Sequence, residues 1–474
     1  MRDIPHAEVV HRLQTENTWW ENPHTIAAAD DQLRPREYLR LFCPLVIESE
    51  VKRAVLLMGP RRVGKTTLIR HTIRELLERG TDPRKICYVS VDHPLYTGQS
   101  LDALLRAYQE AAGVPLAGAY VFFDEIQYLR DWEIHLKVLV DQHADVRFVA
   151  SGSAAAALRL KSQESGAGRF TGFLLPPLTF HEYVQLRGEG ELIAQDAAAG
   201  RAIAANIDHL NDRFVDYLNF GGYPEVALSR AIQADPGRFI KADIIDKVLL
   251  RDLPSLYGIQ DVQELNALFT TLAFNTAGEV SLEALSQRSG VAKNTIKRYI
   301  EYLEAAFLLR VVHRVDRSGK RFQRATAFKV YLTNPSMRAA LFSVVGPDDA
   351  SVGDLVETAV FAQWFHKPDP LHYARWGGEE VDLVWSVPGQ APDWALEVKW
   401  SDRALAHPGE LNALVRFCKE NGLRTAVATT RRSREVRTLG GIEVLFVPAA
   451  IYCYAVGYNL VNARKSPAPF PLAY

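Results

Sequence analysis

Gly59-Pro60-Arg61-Arg62-Val63-Gly64-Lys65-Thr66 has the residue types and spacing of a phosphate cradle. Glycines let backbone N–H groups approach phosphate oxygens, the lysine reaches the terminal phosphates, and the threonine hydroxyl holds Mg²⁺. ATP and Mg²⁺ are therefore the expected ligands, with Gly59, Arg61, Arg62, Val63, Gly64, Lys65, Thr66 and Thr67 around them. Asp124 and Glu125 follow the run Ala119-Tyr120-Val121-Phe122-Phe123. Asp124 suits the Mg²⁺ shell, and Glu125 suits orienting or deprotonating an attacking water. Alone, the pair also reads as a solvated acidic turn after a strand. Behind the glycine loop, at a separation that fits one domain, it points to hydrolysis.

Two further residues belong to this chemistry. Ser151 ends the run Val146-Arg147-Phe148-Val149-Ala150 and is placed to sense a γ-phosphate or hold water. Small polar residues are also ordinary turn formers at such a place. Arg169, in Gly168-Arg169-Phe170, offers positive charge to a transition state in a neighbouring subunit, or is a structural ion-pair partner.

The elements that position these groups are legible around them. Ala54-Val55-Leu56-Leu57-Met58 reads as a buried strand, and Thr66 onward as an amphipathic helix. Strand, glycine loop and helix together aim a helix N-terminus at the phosphates.

A second set of candidates lies far downstream. Glu357 sits in an apolar helix, Asp382 in the alternating strand Glu380-Val381-Asp382-Leu383-Val384-Trp385, and Glu397 and Lys399 in Ala395-Leu396-Glu397-Val398-Lys399-Trp400. Alternation places Glu397 and Lys399 on one face of their strand. This D…ExK set resembles the core of the PD-(D/E)xK nucleases, although Val381 stands where the family name has proline. The resemblance implies Asp382 and Glu397 clamping Mg²⁺, Glu357 as the helical acid, and Lys399 positioning water.

Between the two sets, residues 281–314 read as two short helices about Gly290 and then a strand, the outline of a winged helix-turn-helix. Lys293, Asn294, Lys297 and Arg298 fall on the exposed face of the second helix, where a DNA-reading helix makes its contacts. The hairpin beyond carries Arg310, Arg314, Arg317, Lys320, Arg321, Arg324 and Lys329. The same charges also suit a module used for protein packing.

The ordered set GPRRVGKTT, VFFDEIQ, SGS, GRF, PLTFHEY and FGGYPEV resembles the bacterial and archaeal ATPases that join an AAA-type domain to a C-terminal domain named DUF4143. The resemblance spans nearly the whole chain. It implies an α/β P-loop parallel sheet and a helical lid and, if Arg169 acts in trans, an oligomer in which a neighbour completes the site. With the other motifs it divides the chain into an N-terminal helical segment (1–50), ATPase core (51–179), lid (180–260), winged helix (261–333) and a DUF4143, nuclease-like domain (334–474). In FGGYPEV the glycines read as turn formers and Tyr223 as a packing residue.

Composition bounds the reading. The chain has 474 residues, 48% hydrophobic and 23% charged, with a net charge of −1. DNA contact must therefore rest on local patches. Cys43, Cys87, Cys418 and Cys453 form no CxxC pair, which fits a reducing cytoplasm. No apolar leader and no membrane span are expected. The expectation is an ATP-hydrolysing protein that processes or remodels DNA, with a Mg²⁺-dependent nuclease domain. Its alternative is a nucleotide-controlled regulatory or assembly ATPase whose C-terminal domain binds without cutting.

Overall fold

In a computed structural model of the protein, residues 5–26, 33–48, 50–152, 168–196, 201–320, 327–366, 371–387 and 390–462 are described. The chain forms two compact units, Met1–Leu175 and Pro176–Tyr474.

The first unit is built on five parallel strands: β1 (Ala54–Met58), β2 (Ile86–Ser90), β3 (Tyr120–Asp124), β4 (Arg147–Gly152) and β5 (Phe170–Leu174). Their order is β2-β3-β4-β1-β5. The strands read as nearly unbroken apolar runs because helices cover a parallel sheet on both faces. β1 lies inside the sheet between β4 and β5, so the loop that leaves it is anchored on both sides. The edge strand β2 is closed by the N-terminal segment. Asn17 imitates a neighbouring strand: its Nδ2 donates to the Tyr88 carbonyl at 2.9 Å and its Oδ1 accepts from the Tyr88 N–H at 2.6 Å. The indoles of Trp19 and Trp20 both donate to the Ile86 carbonyl. An open edge would otherwise leave these groups free to pair with another chain.

The second unit holds a small hairpin, β6 (Ile193–Asp196) with β7 (Arg201–Ala204), and one mixed sheet of nine strands. These are β8 (Glu279–Ser281), β9 (Leu309–Val315), β10 (Ala327–Leu332), β11 (Leu371–Trp376), β12 (Glu379–Trp385), β13 (Trp394–Glu397), β14 (Thr425–Thr430), β15 (Glu435–Leu439) and β16 (Ile442–Pro448). The order is β15-β16-β14-β13-β12-β11-β9-β10-β8. Strands on both sides of residue 333 therefore share one sheet. The junction is the parallel pairing of β9 with β11, His372 opposite His313. Nothing local in the sequence announces a pairing between strands so far apart.

Two helices, Leu282–Ser289 and Lys293–Ala305, lie between β8 and β9. Ser281 caps the first by accepting the Ala284 N–H, and Gly290 ends it at a φ of 73°, in the left-handed region that favours glycine. Ile296, Ile300 and Leu303 form the buried face of the second helix.

Within the stretch 180–260, expected as a lid, residues from Phe180 to Ala227 contribute to the core of the second unit. Phe180, Tyr183, Leu210, Phe214 and Tyr217 are buried with Val356, Leu396 and Ile451 in one cluster. The helix Ala449–Asn462 is apolar nearly all round and buried along most of its length, and Phe180–Arg187 packs against it. In FGGYPEV, a Cβ on Gly222 would lie 2.6 Å from the Asn334 side chain. The glycine is thus required by close packing against the 334–336 turn, and Tyr223 is fully buried.

Candidate functional site

The loop after β1 turns sharply at both glycines. A Cβ on Gly59 would stand 2.3 Å from the Leu175 carbonyl oxygen, so only glycine fits. Gly64 has a φ of 92° and Arg62 one of 63°. This winding turns successive N–H groups inward at the start of the helix Lys65–Glu78. Lys65 is buried, and its ammonium donates to the carbonyls of Gly59 at 3.1 Å and Pro60 at 2.8 Å. Arg36 braces the loop from outside by donating to the Val63 carbonyl at 2.8 Å.

Asp124 is the hub. Its Oδ2 accepts from Thr66 Oγ1 at 2.7 Å and Tyr88 Oη at 2.8 Å. Its Oδ1 accepts from the Ser151 hydroxyl and, at 3.2 Å, from the Glu125 N–H. Parallel pairing of β3 with its neighbours β2 and β4 delivers Tyr88, Asp124 and Ser151 to one end of the sheet. Burial, then the Asp124 charge and hydrogen bond, push the Tyr88 pKa up, so the phenol stays a donor. Glu125 leaves the strand at a φ of 55°, and its Oε2 accepts from the Gln127 amide. The site thus gathers Lys65, Thr66, Asp124, Glu125 and Ser151 as expected from sequence, and adds Tyr88, Gln127 and Arg36. A tyrosine two residues before the end of a buried strand carries no signal of its own. Gln127 was visible beside the carboxylate pair.

These groups fit ATP and Mg²⁺. Inward N–H groups and Lys65 suit phosphates, while the Thr66 hydroxyl and the Asp124 carboxylate sit together as oxygen donors for a hard cation. Bound ATP·Mg²⁺ would supply a transferable phosphoryl group and local charge neutralisation.

Arg169 does not join them. Phe170 pairs with Ala54, so Arg169 lies at the opposite end of β1 from the loop. At roughly 3.3 Å per residue the separation is about 17 Å, beyond an arginine side chain. Its Nε donates instead to Asp141 at 2.9 Å, on the surface.

The downstream carboxylates meet two lysines. Lys329, on β10 and only 3% exposed, points its ammonium at Glu357 (2.8 Å), Glu380 (2.5 Å) and Asp382 (3.7 Å). Tyr331, on the same face of β10, donates to the same Glu357 oxygen at 2.6 Å. Asp382 Oδ2 accepts the Val398 N–H at 2.7 Å. Lys399 and Glu397 do share a face and pair at 2.7 Å. Burial would lower the Lys329 pKa, but Tyr331, Glu357, Asp382 and Glu380 outweigh it and raise it. Among the described residues no group of three His, Cys, Asp or Glu is arranged to hold a metal ion. Glu357, Asp382 and Glu397, expected as metal ligands, thus do not fit one: an ammonium stands where the cation was expected. The sequence placed Lys329 in an exposed basic hairpin, because the distant partners of β10 were invisible there.

Burial, then the Asp382 charge, push the Glu357 pKa up to about 7 and that of Glu397 to about 8, against the pull of Lys329 and Lys399 respectively. The folded protein therefore keeps protons that the unfolded chain releases near the ordinary glutamate value. Their contribution to stability is full below that value and is lost as pH rises to about 7–8. Urea denaturation from pH 5 to pH 8 should show wild type losing stability relative to Glu397→Gln. Equal slopes for the two proteins would refute this.

The expected DNA face is largely neutralised. Lys293, Asn294, Lys297 and Arg298 are exposed, but Lys293 pairs with Glu283, and Lys297 lies 3.9 Å from Glu301. Arg317 pairs with Glu420. Arg310 lies over the rings of Phe361 and Phe365, and Arg314 donates to the Arg375 carbonyl. Lys320 is exposed, and Arg321 and Arg324 lie outside the described residues. Further on, Arg431 and Arg432 pair with Asp348 and Asp208.

Comparison with known proteins bears on both units. Residues 51–184 match the family model described as an AAA domain, and residues 211–348 match a domain of unknown function, DUF8612. The second match lies mostly over the stretches read as lid and winged helix, reaches only residues 334–348 of the domain read as DUF4143, and ends before Glu357. An uncharacterized protein of Haemophilus influenzae is 23% identical over 83% of this chain and 92% of its own. One of Methanocaldococcus jannaschii is 26% identical over 66% of this chain and 68% of its own. A solved Walker-type ATPase of Pyrococcus abyssi is 15% identical, with a TM-score of 0.40, over 66% of this chain and 96% of that one. The chain carries an AAA-type ATPase domain. Among the described residues no helix is long and apolar enough to cross a membrane.

Proposed function

We propose that this protein is a cytoplasmic, nucleotide-controlled regulatory or assembly ATPase whose C-terminal unit binds a partner without cutting it. Lys65 and the loop amides hold the ATP phosphates, Thr66 and Asp124 face Mg²⁺, and Glu125 takes the proton of the attacking water. Ser151 and Gln127 orient the two carboxylates. A second copy supplies Arg169 to the site, a role that rests on the resemblance to AAA-type ATPases; within one chain this residue pairs with Asp141 at the other end of the sheet. Arg169→Ala should slow turnover at least tenfold and spare ATP binding.

The observation that carries the choice against a nuclease is the buried Lys329 ammonium among Glu357, Glu380 and Asp382. A metal-dependent nuclease needs carboxylates free to hold the ion. Supercoiled, linear and forked DNA should survive incubation with the protein and Mg²⁺ or Mn²⁺, with or without ATP. Cutting that disappears in Lys399→Ala would overturn this reading.

DNA remodelling without cleavage is a second reading, favoured by Arg298 and Lys320, exposed cations for which no ion pair forms among the described residues. A steep fall of DNA affinity with salt, flattened in Arg298→Ala, would support it.

A further inference from the structure

We propose that Tyr88 is a positioning residue of the Mg²⁺ site: its phenol fixes the Asp124 carboxylate for the cation, and Asn17 fixes Tyr88 in turn. The inference concerns the metal bound with the nucleotide and rests on the ATPase reading.

Asp124 is 1% exposed, so its charge must be met by donors of the protein. Oδ2 accepts from Thr66 Oγ1 at 2.7 Å and from Tyr88 Oη at 2.8 Å, while Oδ1 accepts from the Ser151 hydroxyl and the Glu125 N–H. These donors are not alike. The Thr66 hydroxyl is itself expected to face the cation, and the Ser151 hydroxyl also accepts the Glu125 N–H at 3.3 Å. Tyr88 stands on β2, outside both the glycine loop and β3, and its hydroxyl is fixed at the end of a buried ring. A hydrogen bond to an ionised carboxylate is the stronger kind. Without the phenol oxygen the carboxylate is freer to turn, and the cost of orienting it falls on cation binding.

The strand that carries the phenol is pinned from both sides. Inward, β2 pairs with β3, Tyr88 opposite Phe122. Outward, backbone groups of residues 86, 88 and 90 are met by the N-terminal segment. Trp19 and Trp20 donate to the Ile86 carbonyl, Asn17 both donates to and accepts from Tyr88, and Glu16 accepts the Ser90 N–H at 3.2 Å. Asn17 is fully buried and also donates to the Leu13 carbonyl at 2.8 Å, which ties it to the helix His6–Glu16. A continuous hydrogen-bonded path thus runs from this helix through Asn17 and Tyr88 to Asp124. The one residue of β2 that Asn17 grips by both backbone groups is the one whose hydroxyl meets the metal carboxylate.

The test uses the full-length protein loaded with ADP, with Mn²⁺ in place of Mg²⁺ and its binding followed by electron paramagnetic resonance. Tyr88→Phe removes one oxygen and keeps the ring. It should weaken Mn²⁺ binding by about tenfold or more, the usual effect of losing an outer hydrogen bond at a metal site. Its ADP affinity in chelator should match that of wild type, because the phosphate loop is untouched. In turnover, the Mg²⁺ concentration for half-maximal rate should rise by a similar factor, with kcat at saturating Mg²⁺ much less affected. Asn17→Ala should weaken Mn²⁺ in the same direction. Tyr108→Phe is the control: it removes another buried phenol oxygen of this unit, which donates to the Arg84 carbonyl at 2.8 Å, and should leave Mn²⁺ affinity unchanged. Wild-type Mn²⁺ affinity in Tyr88→Phe or Asn17→Ala, or an equal loss in Tyr108→Phe, overturns the proposal. So does loss of ADP binding in chelator by both variants, since these residues would then hold the fold and not the carboxylate. Wild type that binds neither ADP nor Mn²⁺ with ADP would overturn the ATPase reading and this inference with it. Wild type that binds both, beside a Tyr88→Phe of equal Mn²⁺ affinity, rejects this inference alone.

Discussion

Glu125→Gln should lower ATP turnover by about 10²–10³-fold while ATP still binds, the usual loss when a positioned general base is removed. Glutamine keeps the size and one acceptor, so the left-handed turn at φ 55° and the contact with Gln127 can persist. What disappears is the ability to take a proton from water. The fall should therefore appear in kcat, with KM little changed. Lys65→Ala should behave differently. It removes the cation that faces the phosphates, so binding and turnover fail together. Fluorescent-nucleotide titration beside a phosphate-release assay separates the two variants. If Glu125→Gln turns over ATP like wild type, the proton goes elsewhere.

Glu357→Ala should destabilise the second unit by about 3–5 kcal/mol at pH 8, the cost of removing one partner of a buried ion pair. Lys329 would keep Glu380 and Asp382, which holds the loss toward the low end. Tyr331 would lose the acceptor of its hydroxyl as well. At pH 8 wild-type Glu357 is ionised, since its pKa is raised only to about 7. Removing both charges in Lys329→Met/Glu357→Leu should recover much of the loss, because well-packed apolar replacements of a buried pair are often neutral. Urea midpoints of the two variants decide this. A single mutant as stable as wild type would mean that the pair carries little energy.

The ATP site was legible because its chemistry is local. Gly59 to Thr66 is one contiguous motif, and Asp124 and Glu125 end a strand whose apolar run is unmistakable. Ser151 could be placed because parallel strands of similar length deliver their ends to one edge. Tyr88 and Arg36 were not legible: each acts through one hydrogen bond set by strand order or loop path. In the second unit the strands that carry Asp382 and Glu397 were readable, and so was the shared face of Glu397 and Lys399. The sheet was not. Its order joins β9 to β11 across the helix that carries Glu357, and that crossing brings Lys329 to the carboxylates. A lysine in a stretch dense with arginines reads as one more surface cation. Only the fold shows that it is buried.

The most direct test of the account mixes two disabled proteins. Glu125→Gln lacks the base but keeps Arg169, and Arg169→Ala lacks the arginine but keeps the base. Each alone should be nearly inactive, and ATP turnover should reappear on mixing, rising with total protein concentration. Wild-type turnover by Arg169→Ala alone, or no recovery in a mixture that co-assembles, would contradict the claim that one copy completes the site of another.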